Sequence, residues 1–163
     1  MTNESFGEFR ALSREHIHAI WQKAKENDLD GLSEAEQRLA KILLEHKDEF
    51  FHHFEFTDAI SDYDYEPGVE VNPFLHITIH QVVENQLNAR EPIEVYQFYN
   101  AMIKKKLLHH DTIHLIGRIF IPFLFDVLKH GKEFDAKRYA SLLKKYKNKR
   151  PDKIEAALER DLG

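Results

Sequence analysis

Two histidine pairs share one spacing in this chain, His76-x-x-x-His80 and His110-x-x-x-His114. Residues four apart on a helix stand one above the other on a single face. Each pair therefore aims two imidazoles at one point, as a bidentate metal site does. If the two helices face each other, four neutral nitrogens converge inside a helical bundle, where such sites are built from inward side chains. Further candidate ligands stand nearby. His46 and His53 repeat at seven residues on the side that carries Phe50, Glu49 lies four residues before His53, and Glu84 follows His80 by four.

The angular positions sharpen this. At about 100° per residue, with His76 at zero, His80 falls at about 40° and Glu84 at about 80°, bordering an apolar face of Ile79, Val83 and Leu87. His110 and His114 stand in the same relation to Ile121, Leu124 and Leu128. Both pairs look inward, near the starts of their helices. The bland reading is a core-bordering histidine hydrogen-bonded to a neighbour. With 11 histidines in 163 residues, about 0.7 such pairs arise by chance, so two pairs are only a mild excess.

The elements that must hold these residues read as helices throughout, and strand signals are almost absent. Ser13 is expected to cap a helix over 14–26 carrying Ile17, Ile20, Trp21 and Ala24. After Gly31, Ser33-Glu34-Ala35-Glu36 is a capping-box pattern opening a helix to about residue 55. Asn72-Pro73 starts another, to about Asn88, with Asn as cap and Pro at the first helical position. Pro92 begins the next. A further helix runs from near His109 to Lys129, where Gly131 stops it. Asp135 caps a helix to about Lys147, and Pro151 opens a short terminal one. The expectation is an all-α, single-domain bundle of five to seven helices spanning 1–163, with 1–31 and 148–163 as appendages.

Composition narrows the chemistry. A hydrophobic fraction of 42% in 163 residues suffices for one sizeable core. Cys is absent, so thiolate ligands and disulfides are excluded, and a metal must use His, Asp or Glu. No cationic start followed by an apolar run opens the chain, and Ile119–Phe125 is too short to span a membrane. A cytoplasmic protein with no membrane partner is expected. The net charge of -5 hides an asymmetry. Residues 137–153 are strongly basic, whereas 58–70 carry five acids and no base and form a long loop expected to lie over the site.

The block Asn72-Pro73-Phe74-Leu75-His76-x-x-x-His80, followed by Gln86, Pro92 and His110-x-x-x-His114, resembles an uncharacterised bacterial family. That family carries an NPFLH-x3-H block and a downstream H-x3-H block, and the similarity extends from about Leu32 to Tyr146, with Glu45-His46 and Phe134-Asp135…Tyr139 included. Where the family has an acid directly before the Gln, this chain has Asn85. The resemblance implies that the four histidines belong to a shared pattern. It implies no activity.

A metal held by His76, His80, His110 and His114 would be a divalent transition ion, with zinc, iron and nickel all suited to imidazole. Three ligands and a water would permit hydrolysis, and four would make a structural site. No nucleophile motif, phosphate loop or dinucleotide fingerprint is present, so catalytic residues are unassigned and no nucleotide or organic cofactor is implied. One alternative is an interaction or structural module, either a homo-oligomer through the apolar helix 115–128 or a partner of polyanions through Lys144–Lys153. Few aromatics accompany those lysines, which argues against nucleic acid. Another is a hemerythrin-like di-iron bundle using His46 or His53, His80 with Glu84, His110 with His114, and His130 with Asp135.

Overall fold

The structure is a computed structural model that describes residues 3–66 and 69–162. Among these residues all regular structure is helical. The chain divides into two compact units, 1–81 and 82–163.

The first unit is built on α1 (Asn3–Lys25), α2 (Glu34–Glu45) and α3 (Lys47–Glu55), followed by a 3₁₀ turn at Thr57–Ile60. Helix α1 begins ten residues ahead of Ser13, so that serine lies inside the helix and caps nothing. The capping box at α2 forms as expected: Ser33 Oγ accepts from Glu36 N–H, and the Glu36 carboxylate accepts from Ser33 N–H. Helix α1 packs against α2, α3 and the 3₁₀ turn. Ile17, Ile20, Trp21, Leu39, Leu43, Phe54, Phe74 and Ile77 make the core of this unit. Trp21 is anchored at its polar edge, where Nε1–H donates to Glu55 Oε2 at 2.7 Å.

The single helix expected over 34–55 is two helices that meet at His46. There φ and ψ are -104° and 7°, and the backbone N–H turns back on several preceding carbonyls. The ring Nδ1 also bonds the Ile42 carbonyl at 2.8 Å. The same carbonyl also accepts the His46 backbone N–H at 3.2 Å, so the imidazole shares its acceptor with the last bond of the α2 ladder. This break brings the described helices to eight, above the expected five to seven.

Helix α4 (Pro73–Ala89) runs through the division, nine of its residues in the first unit and eight in the second. Asn72 caps it as the sequence suggests, with Oδ1 accepting from Leu75 N–H at 3.0 Å.

In the second unit α5 (Ile93–Lys104), α6 (His109–His130) and α7 (Ala136–Tyr146) pack on one another, and α8 (Pro151–Leu162) follows. Val83, Val95, Phe98, Met102, Ile113, Ile116, Ile119, Tyr139, Leu143 and Tyr146 are buried. Helix α6 stops at Gly131, whose φ of 60° is left-handed backbone that glycine adopts without steric cost. Asp135 caps α7 by accepting from Arg138 N–H. Tyr139, fully buried, donates its hydroxyl to Gln86 Oε1 at 3.0 Å and so ties α7 to α4. No described helix is long and apolar enough to cross a membrane.

Candidate metal centre

In the first unit three imidazoles come together from two elements. His46, at the α2–α3 break, and His80, on α4, are 2% and 3% exposed. Their ring centroids are 4.5 Å apart, and each offers a nitrogen within 4.8 Å of the other's. His76, one turn before His80, lies 4.9 Å from the His46 ring and 4.8 Å from the His80 ring. Its Nε2 is 3.1 Å from His46 Nε2. Phe50 closes one side, its ring parallel to that of His46 within 6°.

The backbone decides which His46 nitrogen faces this cluster. A carbonyl can only accept, so Nδ1 carries the proton that it donates to Ile42, and when the ring is neutral Nε2 is the nitrogen that accepts. Metal-ligating histidines are commonly oriented by such a bond on the opposite nitrogen. The bond to the Ile42 carbonyl leaves Nε2 on the side of His76, 3.1 Å from its Nε2.

In the second unit His110 and His114 occupy the first two turns of α6. Their ring centroids are 4.3 Å apart, and they too offer nitrogens within 4.8 Å of each other. His109, immediately before them, takes a different role. Its Nε2 bonds Glu84 Oε1 at 2.8 Å, and its Nδ1 bonds the Tyr99 hydroxyl at 2.8 Å. With both nitrogens engaged, His109 has none to give a metal. Burial and the nearby Glu84 charge raise the Tyr99 pKa, so its phenol keeps its proton. Nothing in the spacing of Tyr99 relates it to His109, so the sequence did not reveal this bond.

The remaining candidates separate. Glu49 is exposed. His53 Nδ1 is buried without a hydrogen-bond partner among the described residues, and its ring packs 6.1 Å from Phe50 and 6.3 Å from Tyr65. Glu84 is bound to His109. His130 is the last residue of α6, and Asp135 caps α7 with its carboxylate committed to Arg138 N–H. The pair that a hemerythrin-like centre needs within one helix is therefore divided between two. The acidic loop is held to α1 inside the first unit. Arg14, 2% exposed, donates to the carbonyls of Ile60 and Ser61 at 2.8 and 2.7 Å, and Arg10 pairs with Asp64.

No curated protein and no solved structure matches this chain. A family model described as a domain of unknown function, DUF1841, matches residues 10–145, a span that contains all 11 histidines. The chain belongs to the DUF1841 family.

Proposed function

We propose that this protein binds one divalent transition-metal ion through His46, His80, His110 and His114, with His76 as a fifth nitrogen beside them. The observation that carries the reading is that each unit holds a histidine pair with nitrogens within 4.8 Å of one another, the span of ligands to a single ion. The proposal joins these two half-sites. Helix α4 supports that step by its continuity, because His80 and Glu84 stand one turn apart on it. Glu84 in turn binds His109, the chain neighbour of His110.

The donor set fits such an ion. Ring nitrogens at about 2.0–2.1 Å from one ion, at right angles, lie about 3 Å apart, and His46 and His76 have their Nε2 atoms 3.1 Å apart. Neutral imidazoles leave the ion its full charge, so it can polarise a bound water or carbonyl. Four nitrogens satisfy a tetrahedral ion and make the site structural. A fifth suits ions that accept more ligands, such as iron or nickel.

Metal analysis of protein purified without a histidine tag, from metal-replete cells, tests this. About one equivalent of a transition metal is expected, and less than about a tenth of an equivalent overturns the reading.

A further inference from the structure

The chain Tyr99–His109–Glu84 links α5, the first residue of α6 and α4, all within the second unit. Its proton positions follow from chemistry. The Glu84 carboxylate only accepts, so His109 Nε2 carries a proton, and in the neutral ring Nδ1 then accepts from the Tyr99 hydroxyl. Both contacts are 2.8 Å, the length of strong hydrogen bonds. His109 is half-exposed, its side chain 44% accessible, so core packing alone does not hold it. Helix α6 also begins without a side-chain cap on its first amides.

We infer that Glu84, His109 and Tyr99 are positioning residues for the metal centre. They pin the first turn of α6, which carries His110, and place one negative charge outside a shell of neutral imidazoles. The carboxylate lies near the positive end of the α6 dipole as well as one turn beyond His80. None of the three is itself a ligand. Such outer hydrogen bonds set the direction of inner ligands and typically alter affinity by about 10- to 100-fold. The inference rests on the metal reading above.

The test is metal affinity by competition with a chromophoric chelator, together with the visible spectrum of the cobalt-substituted protein. Glu84→Ala is expected to weaken binding by about 10- to 100-fold and to shift the cobalt bands. Glu84→Gln, which keeps an acceptor oxygen for His109 but not the charge, recovers part of that loss. Tyr99→Phe weakens binding by less than Glu84→Ala does, and serves as the test should the Glu84→Ala protein not fold. A wild type that takes up no ion overturns the metal reading itself. A wild type that binds, with Glu84→Ala or Tyr99→Phe at unchanged affinity and spectrum, overturns only the positioning role.

Discussion

The Nε2 atoms of His46 and His76 lie 3.1 Å apart, although the residues are 30 positions apart in sequence. His46 stands where α2 gives way to α3. Its ring Nδ1 donates to the Ile42 carbonyl, which also accepts the His46 backbone N–H. In the neutral ring that bond leaves Nε2 as the acceptor nitrogen, on the side of the α4 histidines.

That arrangement ranks the histidines of the first unit. His46→Ala is expected to abolish stoichiometric metal uptake, whereas His53→Ala leaves it intact. His76→Ala, removing the fifth nitrogen, weakens affinity by about tenfold. Elemental analysis of the purified variants, with chelator competition for the last, reads all three. Loss of metal in His53→Ala with retention in His46→Ala would reverse the assignment.

Glu55 should make the first unit acid-sensitive. Hydrogen bonds from Lys25 and Trp21 hold its carboxyl below the usual glutamate range. A carboxylate with a depressed folded pKa contributes stability above its unfolded pKa, and that contribution fades as pH falls through the folded value. Glu55→Gln is therefore expected to lower stability near neutrality and to flatten its decline below about pH 4.3. Urea titrations followed by the fluorescence of Trp21, the single tryptophan, measure this, and a decline as steep as the wild type's would refute it.

Tyr139 should do the opposite at high pH. Burial pushes its phenol above the usual tyrosine range. The unfolded chain therefore loses the proton first, and stability falls as pH rises above about 10. Tyr139→Phe keeps the ring but removes the hydroxyl donated to Gln86, costing about 1 kcal/mol near neutrality. The same variant should lose stability less steeply in alkali. A residual slope is expected from Tyr146, which burial and its bond to Asp161 also shift upward. Denaturant midpoints at about pH 8 and about pH 10.5 decide it.

Much of the local structure was legible in the residues. Ser33 with Glu36, Asn72 with Pro73, Asp135 and Gly131 mark helix ends by bonds or backbone angles that each segment makes within itself. The helix break at His46 was not legible. No glycine or proline announces it, and the segment keeps a helical period through Leu39, Ile42, Leu43, Phe50 and Phe54. Nor did anything at Ser13 show that α1 would run past it, since a serine caps only where a helix happens to begin.

The candidate site divides along the same line. Spacing alone placed His76 with His80, and His110 with His114, each pair on one helical face, because a period of about 3.6 residues is a local property. Tertiary structure alone set His46 against His76 and His80, and turned Glu84 and Tyr99 towards His109. Those contacts join side chains from separate helices, and only packing decides which helices meet and at what rotation.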